Sequence, residues 1–200
     1  MLHHTTFIKS ALAWGDLPPE GGKEVAFWGR SNVGKSSTLN ALCNQKALAR
    51  TGRTPGVTTL LNYFEVIPNR WLVDLPGYGY ARTAKHRQEK WNTLITQYLE
   101  QRHSLVGLVL IMDIRHPLTE LDQEVLNWLI TLNHPIHILL NKADKIGYGA
   151  QQNTLQKLKS QCISDRVSMQ SFSAHNKQNM DALETVVNGW LEIEPRKSKV

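Results

Sequence analysis

Residues 29–36 are Gly-Arg-Ser-Asn-Val-Gly-Lys-Ser, which matches the pattern GxxxxGK[ST]. The stretch follows an apolar segment at residues 24–28, and a helical pattern begins near Lys35. Backbone N–H groups of a glycine-rich loop can surround a chain of phosphates, and the following helix directs its positive N-terminus at the same anion. A loop of this kind between a strand and a helix predicts a nucleoside triphosphate site, but it does not select the base.

Strand and helix patterns alternate along almost the whole chain. Short apolar runs bounded by turn residues predict six strands, at residues 24–28, 60–66, 71–73, 106–112, 136–140 and 167–172. Thr119 is placed to cap one of the intervening helices. This alternation predicts a three-layer α/β fold, with a mostly parallel six-stranded sheet and helices on both faces. Ligands of such sheets bind at the carboxyl ends of the strands, where the motifs fall.

The bulk composition fits one globular domain. The chain has 200 residues, of which 41% are hydrophobic and 20% charged, and this is enough to bury a core. We expect a single domain over residues 1–200, with an N-terminal extension at 1–22 and a frayed basic tail at 195–200. The formal net charge of +6 favours a polyanionic partner.

Other features predict a cytoplasmic protein. Cys43 and Cys162 lack the spacing of a zinc site or a disulfide framework, so we expect reduced thiols. The first residues lack the apolar segment of a signal peptide. The longest apolar run, residues 106–112, is far shorter than the ~20 residues of a membrane span, so we expect no membrane partner. We also expect a monomer, because no feature demands more.

The phosphate loop and the segment Asp-Leu-Pro-Gly at residues 74–77 predict a magnesium-assisted site. Lys35 is placed to reach the β- and γ-phosphates, and the hydroxyl of Ser36 to bind Mg²⁺. The carboxylate of Asp74 can also hold Mg²⁺, and the N–H of Gly77 can contact the γ-phosphate. A DxxG turn is a weak signal alone, but it gains weight downstream of a phosphate loop. We assign nucleotide contacts to Gly29, Arg30, Ser31, Asn32, Val33, Gly34, Lys35, Ser36, Ser37, Asp74 and Gly77.

A further motif, Asn-Lys-Ala-Asp at residues 141–144, directly follows the predicted strand 136–140. Guanine presents an N1–H and an amine side by side, and the carboxylate of Asp144 can accept from both, whereas adenine would leave it unpaired. Lys142 can lay its aliphatic stem along the base, and Asn141 can tie this loop to the phosphate loop. The motifs together predict GTP and GDP as ligands. The base contacts are assigned to Asn141, Lys142 and Asp144, and to Ser173 and Ala174 through a backbone N–H.

Longer stretches around these motifs resemble the EngB family, bacterial GTPases of the translation-factor-related class that assist assembly of the large ribosomal subunit. The similar stretches are GRSNVGKSS at 29–37, ARTGRTPG at 49–56, DLPGYGYA at 74–81 and DIRHP at 113–117. The resemblance covers nearly the whole chain. It implies a Ras-like P-loop GTPase domain that binds GTP with Mg²⁺ and hydrolyses it slowly. It also implies a nucleotide-gated role on the large-subunit precursor and its ribosomal RNA.

The alignment with this family adds residues of the first switch segment. By that alignment Thr58 is the magnesium-binding threonine, and Gly56 joins the nucleotide contacts. In the family a threonine is usual at the place of Asn141, and a glutamine is common at the place of Thr59. The expected catalytic set is therefore Lys35, Thr58 and Gly77, and the expected metal contacts are Ser36, Thr58 and Asp74.

The residue after the DxxG segment influences the expected rate of GTP hydrolysis. Ras-type enzymes orient the attacking water with a glutamine there, whereas this chain has Tyr78, so we expect slow intrinsic turnover. In related GTPases an asparagine at the place of Asn32 accompanies a bound potassium ion, which gives the hypothesis that K⁺ accelerates hydrolysis here. The alternative is that Asn32 only shapes a turn.

Basic residues gather beside the two expected switch segments, residues 54–59 and 78–90. The resemblance favours contacts between these residues and ribosomal RNA phosphates. The alternative is a solvated helix face. The expected RNA contacts are Lys46, Arg50, Arg53, Arg82, Lys85, Arg87 and Lys90.

Three other interpretations of the chain remain open. The first is a GTPase switch of another cellular process. The second is a P-loop kinase or ATPase, which the Asn-Lys-Ala-Asp motif disfavours. The third is a binding module in which the nucleotide is only structural.

Overall fold

A computed structural model describes residues 1–49, 60–79, 85–161 and 164–194, without the side chains of residues 85–92. The strands are β1 (Thr6–Ala11), β2 (Lys23–Gly29), β3 (Leu61–Ile67), β4 (Arg70–Asp74), β5 (Leu105–Asp113), β6 (Ile136–Asn141) and β7 (Val167–Ser171). The α-helices are α1 (Lys35–Leu42), α2 (Lys85–Gln101), α3 (Glu120–Thr131), α4 (Tyr148–Gln161) and α5 (Met180–Leu191).

The strands form one sheet in the order β1-β3-β4-β2-β5-β6-β7. The pairs β1–β3 and β3–β4 are antiparallel, and the other four pairs are parallel. Strands β2 and β5 are buried along almost their whole length, as parallel strands covered on both faces must be. The six predicted strands and the mostly parallel, three-layer arrangement are confirmed.

Within the described residues the sheet has seven strands, and the predicted number of six is wrong. The additional strand, β1, lies in the segment expected to be an extension, and it pairs with β3 at the edge of the sheet. Its apolar residues are largely exposed, since Phe7 is 53% and Ile8 is 45% accessible. An edge strand that buries so little has no apolar alternation for sequence analysis to detect.

Two apolar clusters lie on opposite faces of the sheet. One packs α2, α3 and α4 against the strands, with Tyr98 and Leu126 among its buried members. The other packs α1 and α5 on the second face, with Leu39 buried between them and the sheet. At Gly107 a Cβ would lie 2.4 Å from the ring of Trp190, so α5 approaches β5 closely only because this residue is glycine. Dense packing on both faces fixes the strand ends relative to one another.

The helix boundaries bear out one prediction about capping. The hydroxyl of Thr119 accepts a hydrogen bond from the backbone N–H of Asp122, so Thr119 caps α3 as predicted. The longest helix among the described residues, α2, has 17 residues. No helix in the described part of the chain has both the length and the apolar character needed to cross a bilayer.

The thiol of Cys43 lies in the cluster beneath α1 and α5. Burial raises the pKa of this thiol to about 11, so it stays protonated and unreactive at neutral pH. Cys162 lies outside the described residues.

Candidate nucleotide-binding site

The predicted motifs meet at one edge of the sheet because each follows the carboxyl end of a strand. Strand β2 ends at Gly29, β4 at Asp74 and β6 at Asn141. The pairing register places Asp113, the last residue of β5, opposite Asn141. Convergence of this kind at the carboxyl edge is where open α/β sheets bind ligands.

Two positions of the phosphate loop require glycine, because a side chain at either one would collide with a neighbouring group. Gly34 has a φ of +94°, and a Cβ on it would lie 2.3 Å from the side-chain nitrogen of Asn141. At Gly29 a Cβ would lie 2.4 Å from the carbonyl oxygen of Ile111. Helix α1 begins directly after Gly34, and no described side chain caps it. Its first N–H groups, which include those of Ser36 and Ser37, are therefore available to an anion.

Lys35 and Asp74 form an ion pair at the start of α1. The carboxylate is buried, and the ammonium group is almost so. These are the side chains expected to meet the phosphates and the magnesium ion, and the structure brings them together. Both groups are therefore charged and close to the free N–H groups at the start of α1.

The oxygen donors in this part of the site suit magnesium. Among the described residues no group of three or more His, Cys, Asp or Glu side chains could hold a metal alone. Mg²⁺ is commonly bound by one or two protein oxygens together with phosphate oxygens and water. The hydroxyl of Ser36 and the carboxylate of Asp74 fit that pattern. The third expected ligand, Thr58, lies outside the described residues, as does Gly56.

The segment after Asp74 lies directly against the phosphate loop. The N–H of Tyr78 donates to the carbonyl oxygen of Gly29 at 3.2 Å, and the N–H of Ser31 donates to the carbonyl oxygen of Tyr78 at 3.1 Å. A Cβ on Gly77 would lie 3.2 Å from both the backbone nitrogen and the hydroxyl of Ser31. The predicted γ-phosphate contact at Gly77 is thus placed beside the loop.

The ring of Tyr78 points into the protein. It makes an edge-on contact with the ring of Trp28, with 5.0 Å between the centroids, and its hydroxyl donates to a carboxylate oxygen of Asp122 at 2.8 Å. Burial raises the pKa of the Tyr78 hydroxyl, so the group remains protonated. The guanidinium group of Arg30 also turns to Asp122, at 3.1 Å, so it is the backbone of Arg30 that remains for nucleotide contact.

The first base loop is tied to the phosphate loop by two side chains. The amide nitrogen of Asn141 donates to the carbonyl oxygen of Val33 at 2.8 Å, and its amide oxygen accepts from the N–H of Ala174 at 3.1 Å. The ammonium group of Lys142 donates to the carbonyl oxygen of Asn32 at 2.8 Å. The phosphate loop, the Asn-Lys-Ala-Asp loop and the Ser-Ala loop therefore form one continuous rim.

Asp144 is held in the ionised form that guanine recognition needs. One of its carboxylate oxygens accepts from the hydroxyl of Ser173 at 2.6 Å, and the other lies 3.2 Å from the ammonium group of Lys145. The hydrogen bond from Ser173, aided by Lys145, lowers the pKa of the Asp144 carboxyl. An ionised carboxylate can accept from both guanine donors at neutral pH.

Two residues that the sequence motifs do not mark also shape the base loop. Asp113 lies 2.9 Å from the ammonium group of Lys142, and the neighbouring Arg115, together with Lys142, holds its pKa well below the usual range. Gln151, buried in α4, donates to the carbonyl oxygens of Ala143 and Ile146 and so fixes the turn that presents Asp144. The position of Asp113 at a strand end was a detectable signal, but that of Gln151 in a polar helix was not.

The expected RNA contacts are described only in part. Lys46 is an exposed residue just after α1. Lys85, Arg87 and Lys90 lie in the first turns of α2, where the backbone alone is described. Arg50, Arg53 and Arg82 lie outside the described residues.

The known proteins that resemble this chain are GTP-binding proteins, in agreement with the motifs. The family described as "50S ribosome-binding GTPase" covers residues 24–142 of this chain. The chain is 43% identical over 191 residues to the probable GTP-binding protein EngB of Coxiella burnetii (strain CbuG_Q212), across 94% of this chain and 93% of that protein. It is 50% identical over 196 residues to the protein of the same description from Xanthomonas oryzae pv. oryzae (strain PXO99A), across 96% and 95%.

Solved structures show the same architecture. A crystal structure of a probable GTP-binding protein EngB matches with a TM-score of 0.67 and 26% identity, over 86% of this chain and all of that one. Era in complex with MgGDPNP and nucleotides 1506–1542 of 16S ribosomal RNA matches with a TM-score of 0.66 and 22% identity, over 91% of this chain and 60% of Era. The likeness to Era concerns the fold alone.

Proposed function

The chain belongs to the EngB family of GTP-binding proteins, and from this premise we propose that it hydrolyses GTP slowly and acts as a nucleotide-gated assembly factor for the large ribosomal subunit. The observation that carries the proposal is the double contact of Asn141, which joins the phosphate loop to both base loops. A ligand that spans this rim has phosphates at one end and a base at the other.

Base selection rests on Asp144. Its pKa is lowered, so the carboxylate is ionised, and it follows β6, whereas Lys35 follows β2. Guanine offers two adjacent donors to such a carboxylate, and adenine offers none in that arrangement. This chemistry favours GTP and GDP over ATP and argues against a P-loop kinase or ATPase.

Mg²⁺ would be held by Ser36 and Asp74, joined by Thr58. When bound, it neutralises charge on the β- and γ-phosphates. Lys35, which lies beside Asp74, would bind the β- and γ-phosphates, and the free N–H groups of α1 would stabilise the same charge. These residues bind and orient the nucleotide.

The position of Tyr78 supports the proposal of slow turnover. Its hydroxyl is committed to Asp122, so the side chain that follows Gly77 has no free group with which to orient a water. Positioning of the attacking water is a principal contribution of related enzymes to this reaction. A factor outside this chain, or a cation near Asn32, would then supply the missing contribution.

The ribosomal role has two kinds of support. The description of the matching family names the 50S ribosome, and the net charge of +6 suits a partner rich in phosphate. We place the contacts on the basic residues beside the switch segments, from Lys46 to Lys90. We further propose that the protein acts as a monomer in the cytoplasm.

The test is co-sedimentation with large ribosomal subunits or their precursors. The unaltered protein is incubated with a non-hydrolysable GTP analogue, with GDP or without nucleotide, at several salt concentrations. We expect association with the analogue, little with GDP, and a loss of binding as salt rises, because phosphate contacts release counterions. Association that is equal in all three nucleotide states would contradict nucleotide gating, and association that does not respond to salt would contradict the RNA contacts.

A further inference from the structure

The carboxylate of Asp122 joins two parts of the nucleotide site to the start of α3. One carboxylate oxygen accepts from the hydroxyl of Tyr78 at 2.8 Å and from Nε of Arg30 at 3.1 Å. The other accepts from the backbone N–H and the hydroxyl of Thr119, at 3.1 and 2.8 Å. These donors belong to the segment after Gly77, the phosphate loop and the start of α3.

This carboxylate has no contact with solvent. The side chain of Asp122 is 0% exposed, whereas that of Arg30 is 29% exposed and provides the compensating charge. A buried carboxylate with four donors is strongly held, and the loss of one donor leaves part of a charge unpaired in a poorly solvated place. The phosphate loop, the segment after Gly77 and the start of α3 are therefore expected to move together.

The consequence for the nucleotide lies one residue before Tyr78. Gly77 carries the N–H expected to contact the γ-phosphate, and Tyr78 is fixed at both its backbone and its hydroxyl. The N–H of Tyr78 is bound to Gly29, and its ring lies against Trp28. The hydroxyl contact with Asp122 is the one among these three that joins Tyr78 to α3 by a direct hydrogen bond.

We propose that Asp122 is a positioning residue for the γ-phosphate: by holding Tyr78 and Arg30 together it fixes the N–H of Gly77, and it thereby couples GTP binding to helix α3. This inference rests on the proposed binding of GTP and GDP. GDP lacks the γ-phosphate, so the contribution of the cluster appears in the affinity for a GTP analogue and not in the affinity for GDP.

The test is the substitution Tyr78→Phe, which removes one hydroxyl and keeps the ring. Dissociation constants for a non-hydrolysable GTP analogue and for GDP, both with Mg²⁺, are measured by titration calorimetry. We expect the ratio of the two constants, analogue over GDP, to rise roughly fivefold or more, within the usual range of coupling between sites. The substitution Arg30→Gln removes a different donor to the same carboxylate and is expected to shift the ratio in the same direction.

The chain offers a matched control in Tyr98→Phe. The hydroxyl of Tyr98 donates at 2.8 Å to Glu24, another buried carboxylate paired with an arginine, Arg102, but this cluster lies near the opposite end of β2. Both variants lose one hydrogen bond to a buried carboxylate, so both should lower the unfolding temperature without nucleotide. Only the variant at Tyr78 should change the affinity ratio.

The outcomes separate the two proposals. A ratio that stays within twofold in Tyr78→Phe and Arg30→Gln, with the same loss of stability as in Tyr98→Phe, would show that the Asp122 cluster is only structural and would overturn this inference alone. Failure of the unaltered protein to bind either nucleotide would overturn the proposed function and this inference with it.

Discussion

The side-chain amide of Asn141 donates a hydrogen bond to the carbonyl oxygen of Val33, 2.8 Å away, across 108 residues of sequence. The same amide accepts from the N–H of Ala174, so one side chain fixes the positions of three loops. The binding of phosphates and of the base is therefore coupled through Asn141. This relationship, and three other features of the site and the fold, lead to measurable predictions.

The first concerns Asn141 itself. The substitution Asn141→Ala removes both contacts and leaves the carbonyl oxygen of Val33 without its donor. We expect the affinity for GDP to fall about tenfold or more, since each lost hydrogen bond of this kind contributes on the order of 1 kcal/mol. Titration with labelled GDP measures the change. The matched control is Asn153→Ala at an exposed position of α4, and an equal loss in the control would contradict the assigned role.

The second concerns the choice of base. In Asp144→Asn a carboxylate oxygen becomes an amide N–H₂ group, which is a donor and cannot bond to the donors of guanine. Xanthine has a carbonyl in place of the guanine amine, and this carbonyl can accept from the new N–H₂ group. We expect the affinity for GDP to fall at least about 100-fold and that for xanthosine diphosphate to rise. The exposed Asp165→Asn serves as the control. Unchanged preference for GDP in Asp144→Asn would show that this carboxylate does not face the base.

The third concerns potassium. Asn32 has a φ of +66°, and its carbonyl oxygen accepts from Lys142, so the residue has a defined structural role besides any cation contact. The substitution Asn32→Gly keeps the backbone conformation accessible and removes the side chain. We expect GTP hydrolysis by the unaltered protein to be about tenfold faster in potassium than in sodium, and the glycine variant to lose that difference. Equal rates in the two buffers for the unaltered protein would reject the hypothesis.

The fourth concerns stability and pH. His137 is buried in β6, where one ring nitrogen lies 2.8 Å from the hydroxyl of Ser168 and the other 3.0 Å from the amide oxygen of Gln170. Burial lowers the pKa of His137 from 6.5 to about 4, so the folded protein keeps the ring neutral while the unfolded chain binds a proton. This contribution to stability is complete above pH 6.5 and is lost as the pH falls toward about 4.

The substitution His137→Gln isolates that effect. The free energy of unfolding of the unaltered protein should fall relative to the variant by up to about 1.4 kcal/mol per pH unit below pH 6.5. Urea titrations from mildly alkaline pH down to about pH 4 measure the difference. Above pH 7.5 the two proteins should differ by a constant amount, which is the internal control. A constant difference across the whole range would show that the buried ring does not titrate as described.

The features of the fold and site that depend on local pattern can be predicted from the sequence. The phosphate loop, the Asn-Lys-Ala-Asp motif and six strands are visible because glycine spacing and continuous apolar runs are local properties. Strand β1 was missed because an edge strand with exposed Phe7 and Ile8 has no buried face to mark it.

The roles of other residues depend on contacts that no local pattern contains. Asp122 lies 92 positions from Arg30 in the sequence and meets it only when α3 packs beside the phosphate loop. Thr119 was predicted to cap α3, and the structure adds that Asp122, three residues later, accepts hydrogen bonds from Thr119. Gln151 likewise acquires its role only through the turn at Ala143 and Ile146. Such residues become visible only when long-range packing is known.

The most direct test of the site is competition for bound labelled GDP. Unlabelled GDP, GTP and ATP are titrated in turn against the complex in the presence of Mg²⁺. If the phosphate loop and Asp144 bind the two ends of one nucleotide, GDP and GTP should displace the label at similar concentrations, and ATP should fail to do so at about a thousandfold higher concentration. Displacement by ATP as effective as that by GDP would contradict the account, since the rim would then bind phosphates without recognising guanine.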